Sequence, residues 1–167
     1  MTNKMGKALL AIIQKIKNET GGNPGKKQLH KLVYLMQAKG ISLGYEYGIH
    51  FYGPYSEELN NDLLRLCING DVSFQIKGQT HEIEPVDTDE SVSVSPENEQ
   101  VIDSVIRQYK DTSPYDLELI TTAHFVAVNL GSSENEILKG VKRIKGDKYP
   151  EAKILQTVGH LKAEYGI

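Results

Sequence analysis

Cysteine is almost absent from the chain, since Cys67 is the one cysteine among 167 residues. A single thiol excludes an internal disulfide and fits a reducing compartment. Long apolar runs are missing too: the longest, at residues 9–13, is far shorter than the roughly 20 residues that a membrane span needs. The N-terminus shows no apolar signal-peptide core with a small-residue cleavage site. A cytoplasmic location without membrane association is therefore expected.

An excess of charge of one sign is also lacking. The 19 Lys and Arg residues against 22 Asp and Glu give a formal net charge of -3 and a pI near 6.0. This balance provides no general attraction to nucleic acid or to anionic membranes, so basic residues would have to be concentrated on one face. The length allows one domain with a substantial core or two small ones.

What the first 86 residues do contain is a clear succession of periodic segments. Apolar residues such as Leu9, Ile12 and Ile16 recur at helical spacing, and the later segments alternate apolar and polar residues. The predicted elements are helices over about 3–18 and 26–39, a short strand in the second half of 45–52, a helix ending near 69, and a hairpin of 72–76 with 81–86. This order matches a winged helix-turn-helix arrangement, with the hairpin as the wing.

A Gly-Pro pair, Gly53-Pro54, interrupts the aromatic strand. Pro54 or Tyr55 is expected to occupy the first turn of the following helix, where a missing N–H group costs nothing. Glu57 and Glu58 then lie near the helix N-terminus, where the helix dipole favours negative charge.

The remainder of the chain predicts a linker and a helical half. Residues 87–95 are acidic and serine-rich, which favours a linker, with a short strand at Val92 and Val94. Residues 96–167 predict four helices, and the one at about 114–130 is apolar on most sides and so is expected to be central. The predicted fold is mainly α within the α+β class: a winged-helix-like half (1–86) packed with a helical bundle (96–167) as one compact domain.

Motifs for catalysis or metal binding are not found. The five histidines are scattered, without a partner at i+3 or i+4, and no HExxH motif or cysteine pair accompanies them. Phosphate-binding loops and serine nucleophile elbows are missing as well. No catalytic, cofactor-binding or metal-binding residue is therefore predicted. His124, within the apolar helix, is either a core residue or the base of an unrecognised enzyme.

Two polar surfaces allow more than one interpretation. His30, Tyr34 and Gln37 share one face of the second helix, as either a half-buried polar seam or a contact face for a partner. A basic cluster between Lys139 and Lys148 is a solvated face, a phosphate-contact surface or a contact surface for an acidic partner.

The third helix is acidic where a DNA-reading helix would be basic or amide-rich. It carries Glu57, Glu58 and Asp62 against Arg65, and carboxylates near phosphates would be repelled. In a winged-helix arrangement this helix normally enters the major groove. Its composition therefore favours contact with a protein over contact with duplex DNA.

Three segments resemble a known family. The helix 27–35, the stretch 51–56 with the following 59–66, and the late segment 117–125 resemble the bacterial YwgA-like proteins and are more distantly similar to the SocA-like or Panacea antitoxin domain. The resemblance spans most of the chain, and its motifs are structural in character. It implies a mainly helical domain that neutralises or escorts a toxin by direct contact.

The resulting hypothesis is a non-enzymatic, antitoxin-like domain that binds another protein, with a toxin as the implied partner. The aromatic side chains would supply contact area and the carboxylates would steer a basic partner. The predicted contact residues are His30, Tyr34, Tyr52, Tyr55, Glu57 and Glu58. The alternatives are a winged-helix DNA-binding regulator, with nucleic acid as the less favoured partner, and an enzyme centred on His124.

Overall fold

The computed structural model describes residues 4–86 and 94–167. Within these residues the chain forms seven helices and four short strands, arranged as two two-stranded antiparallel hairpins. In chain order they are α1 (Lys4–Thr20), α2 (Lys26–Ala38), β1 (Gly48–His50), β2 (Gly53–Tyr55), α3 (Glu57–Ile68), β3 (Val72–Lys77), β4 (Thr80–Pro85), α4 (Pro96–Tyr109), α5 (Pro114–Asn129), α6 (Glu134–Lys145) and α7 (Glu151–Tyr165). The predicted mainly helical α+β class is confirmed, whereas the winged-helix assignment stays a prediction.

The described residues group into two compact units. Of these residues, unit 1 comprises 4–48, 56–86 and 94–111, and unit 2 comprises 49–55 with 112–167. Helix α4 packs against α1 and α2 and so belongs to unit 1. Most of the predicted linker 87–95, including the strand residue Val92, lies outside the described residues, and the predicted domain boundaries stay a prediction.

Unit 1 is built on amphipathic helices whose apolar faces meet in one core. The apolar stripe of α1 that the sequence predicts, including Leu9, Ile12 and Ile16, is fully buried. Strands β3 and β4 pair antiparallel, with Phe74 opposite Ile83 and Lys77 opposite Thr80. The turn at residues 78–79 joins these strands, in agreement with the predicted hairpin of 72–76 with 81–86, and β4 contacts both α1 and α2.

The start of α3 differs from the prediction. Pro54 and Tyr55 belong to β2 rather than to the first helical turn, and Ser56 is the N-cap, whose hydroxyl accepts the Leu59 N–H at 3.3 Å. The physical reason lies at Gly53, whose φ of +106° reverses the chain and directs the next residues into an extended strand. The prediction that the helix begins at Pro54 or Tyr55 is therefore wrong.

Unit 2 is organised around α5, which contacts α6, α7 and β2. Its central position confirms the expectation from its apolar composition. The Ser-Pro pairs at 95–96 and 113–114 and the Ser133–Glu136 spacing are helix-start signals in the sequence. In the structure the Ser113 hydroxyl accepts the Asp116 N–H and the Ser133 hydroxyl accepts the Glu136 N–H, both at 3.1 Å, whereas Ser95 precedes α4 without a side-chain capping hydrogen bond. None of the described helices combines the length and the apolar composition that crossing a bilayer requires.

Candidate functional site

The most exposed aromatic side chains among the described residues lie in the turn between β1 and β2. Phe51 is 84% exposed and Tyr52 is 50% exposed, and their rings meet edge to face at 5.0 Å. We call these two residues the aromatic turn. Large apolar groups are normally withdrawn from water, so two adjacent exposed rings mark a surface suited to a binding partner.

A buried lysine side chain anchors the backbone of the aromatic turn. The Lys145 ammonium, at the end of α6, donates a hydrogen bond of 2.6 Å to the Phe51 carbonyl oxygen. The Lys145 side chain is only 6% exposed. This bond satisfies a backbone carbonyl of the turn and fixes the position from which both rings project.

Lys145 is in turn tied to a buried carboxylate on α5. Glu118 lies 3.6 Å from the Lys145 ammonium and accepts hydrogen bonds from Lys148, at 2.5 Å, and from the Tyr149 hydroxyl. Burial raises the pKa of Glu118, but the bonds from Lys148 and Tyr149 and the charge of Lys145 outweigh it, so this pKa lies below its ordinary value. Burial lowers the pKa of Lys145, and Glu118 offsets part of that effect.

The strands beside the turn add a second support within unit 2. The Tyr55 ring stacks on the His50 ring, with centroids 4.5 Å apart and planes 20° apart. Gly53 and Pro54 are buried, and β2 packs against α5. The structure therefore brings Tyr52 and Tyr55 together on one small hairpin, with Tyr52 exposed and Tyr55 half-buried.

In unit 1, two of the predicted contact residues are buried. His30 is 2% exposed and Tyr34 is 9% exposed. The His30 Nδ1 atom accepts the Ser56 N–H at 3.2 Å, and its backbone carbonyl accepts the Tyr47 hydroxyl at 2.7 Å. Tyr34 meets the Tyr47 ring edge to face at 5.1 Å. His30 thus fixes the Ser56 backbone, Tyr34 packs against the Tyr47 ring, and both residues offer little surface to a partner.

The two predicted carboxylates differ from that buried pair, because Glu57 and Glu58 are exposed at the N-terminus of α3. The Ser56 hydroxyl donates to Glu58 at 3.0 Å, so His30 and Glu58 both contact the same capping residue. Both carboxylates lie in the first turn, where the helix dipole stabilises negative charge. They supply a fixed acidic surface.

The third acidic residue of α3, Asp62, is not part of that surface. It is 3% exposed and accepts hydrogen bonds of 2.7 Å from the Tyr45 hydroxyl and from Arg65. Gln37 fixes the same segment, donating to the Tyr45 carbonyl at 2.9 Å and accepting its N–H at 3.0 Å. The polar face of α2 is thus a structural seam.

Three of the five cationic residues in the basic cluster of unit 2 form ion pairs, with two carboxylates between them. Lys145 and Lys148 bind Glu118, and Lys142 pairs with Glu151. Lys139 and Arg143 are exposed. These two exposed cations could meet phosphates, and the phosphate-contact interpretation stays a prediction.

His124 lies on α5 and is 7% exposed, with the Tyr165 ring edge to face at 5.1 Å. Burial lowers its pKa to about 4, so the imidazole is neutral near pH 7. Across residues 4–86 and 94–167, no group of three or more His, Cys, Asp or Glu side chains is arranged to hold a metal ion.

Sequence reasoning missed Phe51, Glu118 and Lys145 as members of this site. Phe51 lies in the predicted aromatic strand of 45–52, but its exposure depends on the chain reversal at Gly53. Glu118 and Lys145 lie on different helices, and no local spacing links them to the turn. The one signal available in the sequence was the pair of adjacent aromatic residues directly before Gly53-Pro54.

The sequence is similar to the Uncharacterized protein YwgA of Bacillus subtilis (strain 168), with 27% identity over 164 residues that cover 91% of this chain and 95% of the relative. No protein-family model matches the chain. The similarity supports the resemblance to YwgA-like proteins over nearly the whole length. The relation to the SocA-like or Panacea domain stays a prediction.

Proposed function

We propose that this chain is a non-enzymatic protein-binding domain of antitoxin type that contacts a partner protein through the aromatic turn. The observation that carries the proposal is the exposure of Phe51 and Tyr52 on a hairpin that Lys145 and Glu118 hold in place. Side chains that are exposed, aromatic and preorganised have the properties of interface hot spots.

Contact area and rigidity determine how much the aromatic turn contributes to the binding free energy. An aromatic side chain that becomes fully buried in an interface removes about 150–250 Å² from contact with water, and hot-spot aromatics are worth about 2–4 kcal/mol each. Binding costs less when the binding segment is already ordered. Lys145 therefore contributes to affinity without touching the partner.

The remaining predicted contact residues take different roles in the proposal. Tyr55 adds contact area beside the turn, and the exposed Glu57 and Glu58 accelerate association with a basic partner surface. His30 and Tyr34 are buried, so they act as positioning residues within unit 1, where His30 binds the Ser56 backbone at the start of the helix that carries Glu57 and Glu58. The antitoxin role itself rests on the resemblance of the sequence.

Photo-crosslinking in the native host tests the proposal. A photoreactive phenylalanine analogue at Tyr52 should give a discrete crosslinked protein species, because this side chain is proposed to lie at the centre of the interface. The same analogue at Val128, a 63% exposed position on α5, is the matched control. The captured protein, expressed alone, should arrest growth, and coexpression of this chain should relieve the arrest.

Two outcomes of the photo-crosslinking experiment would contradict the proposal in whole or in part. If position 52 gives no species beyond those seen at position 128, the aromatic turn is not an interface. If a partner is captured but its expression is harmless, protein binding stands and the antitoxin role does not.

A further inference from the structure

The β3–β4 hairpin of unit 1 has one covered edge and one open edge. On the outer side of β4, Glu82 forms a bridge with Gly25, and the Ile83 N–H donates to the Pro24 carbonyl at 2.9 Å. On the outer side of β3, none of the described residues forms a backbone hydrogen bond. An open strand edge is a template for pairing with another strand.

The register shows which residues of β3 present that edge. Ile83 directs its N–H away from β3, so the Phe74–Ile83 pair is a non-hydrogen-bonded pair. Alternation then directs the backbone groups of Val72, Phe74 and Ile76 outward, while Ser73 and Gln75 bond to β4. Three consecutive outward positions therefore carry apolar side chains.

Those apolar side chains extend beyond the core that covers the strand. Val72 is 2% exposed, but Phe74 is 40% exposed and Ile76 is 71% exposed. All three lie on the same face of the hairpin, since side chains two apart on a strand share a face. The apolar face of the hairpin thus becomes more exposed to solvent along β3 toward the turn at residues 78–79.

We propose that a second copy of this chain covers this edge by antiparallel pairing of β3 with β3, centred on Phe74. A two-fold axis at Phe74 places Phe74 opposite its own copy and Val72 opposite Ile76. The same register sets Lys77 opposite Asp71, which is an attractive pair. The strand is self-complementary in both polarity and charge, which favours a second copy over an unrelated peptide.

Cysteine crosslinking of the full chain tests the register. In a Cys67→Ser background, Phe74→Cys places two thiols opposite each other, about 5.5 Å apart at Cα, which is within disulfide reach. Oxidation should give a dimer of twice 18.6 kDa. Gln79→Cys is the matched control: in this register residue 79 lies ten positions from its own copy, about 33 Å at the rise of a strand, and it should stay monomeric.

Charge reversal provides an independent test without a new thiol. Lys77→Asp or Asp71→Lys alone should weaken self-association by severalfold, because each places like charges opposite one another. The double variant should recover it. Light scattering should show concentration-dependent dimerisation of the native chain.

A chain that stays monomeric up to about 1 mM overturns the proposal, as does crosslinking at position 79 equal to that at position 74. A monomer whose β3 residues become protected when an extended peptide binds would overturn it too, by assigning the edge to a different occupant.

Discussion

At the scale of single residues, Lys145 is the side chain that connects the aromatic turn to the interior of unit 2. Its ammonium bridges the Phe51 carbonyl and the Glu118 carboxylate while almost entirely removed from water. A buried charge is tolerated when it is paired and hydrogen-bonded, and breaking the pair leaves the other charge uncompensated. The position of the aromatic turn and the stability of unit 2 therefore depend on the same side chain.

Replacing Lys145 with methionine tests that dependence. Lys145→Met keeps the unbranched shape and most of the length of the side chain but removes its charge and its hydrogen bonds, so the free energy of unfolding should fall by about 1–3 kcal/mol. Urea denaturation measures the loss. Lys139→Met, at an exposed position on the same helix, should change stability by less than about 0.5 kcal/mol. If the two substitutions lower the free energy of unfolding equally, Lys145 does not anchor the aromatic turn.

His124 gives a prediction on pH. Burial lowers its pKa from 6.5 to about 4, so between these values the unfolded imidazole binds a proton that the folded one does not. Stability that is fully present above pH 6.5 should decline as the pH falls toward 4, by about 3 kcal/mol in total.

Measurement of the free energy of unfolding from pH 7 to pH 4 should show a smaller decline in His124→Gln than in the native chain. His81→Gln, which removes an exposed histidine, controls for losing an imidazole. An unchanged host phenotype in His124→Gln would also count against the enzyme hypothesis centred on this residue. A decline identical to that of the native chain would show that His124 is not the responsible group.

At the scale of elements, the close approach of α5 and α6 depends on a glycine. A Cβ atom built on Gly140 would lie 2.4 Å from Cγ1 of the buried Val126. A β-branched side chain in a packed helix interface has no alternative rotamer to adopt cheaply. The two helices would have to separate.

Gly140→Ala should therefore destabilise the chain by about 1–3 kcal/mol, even though alanine is the better helix former by about 1 kcal/mol. Gly159→Ala on α7 is the matched control, because nothing lies within 4 Å of its Cβ position. It should stabilise the chain by about 0.5–1 kcal/mol. Thermal unfolding of both variants gives the comparison, and stabilisation by both would disprove the close contact.

The elements also show what the sequence could and could not predict. Helix boundaries followed from apolar periodicity and serine caps, because both are local signals, as at Ser113 and Ser133. Strand β2 was missed because its extended conformation depends on the reversal at Gly53 and on packing against α5, which is distant in the chain. Residues fixed by local rules were predictable, and residues fixed by distant contacts were not.

The residues of the candidate site likewise separate into those that the sequence could predict and those that it could not. Composition indicated aromatic and acidic residues near the Gly-Pro corner, and Tyr52, Glu57 and Glu58 are indeed exposed. Helical spacing grouped His30 with Tyr34, but spacing alone does not say whether a shared face meets solvent or another element. In the folded chain that face is buried.

At the scale of the whole molecule, charge predicts what the chain does not bind. Its net charge is -3, and three lysines of its basic cluster are already paired with Glu118 and Glu151. Duplex DNA should therefore show no retarded band with the chain even at low salt. A shift that is lost as salt rises would revive the winged-helix DNA-binding alternative, and Lys139→Glu combined with Arg143→Glu would identify the surface.

The central claim is that the aromatic turn binds a protein, and the most direct measurement is the dissociation constant for the captured partner. Phe51→Ala and Tyr52→Ala together should raise it by at least about a hundredfold, since each hot-spot aromatic is worth 2 kcal/mol or more. Val128→Ala should leave it unchanged. A dissociation constant that moves less than about threefold in the double variant, with its fold intact, would contradict the claim.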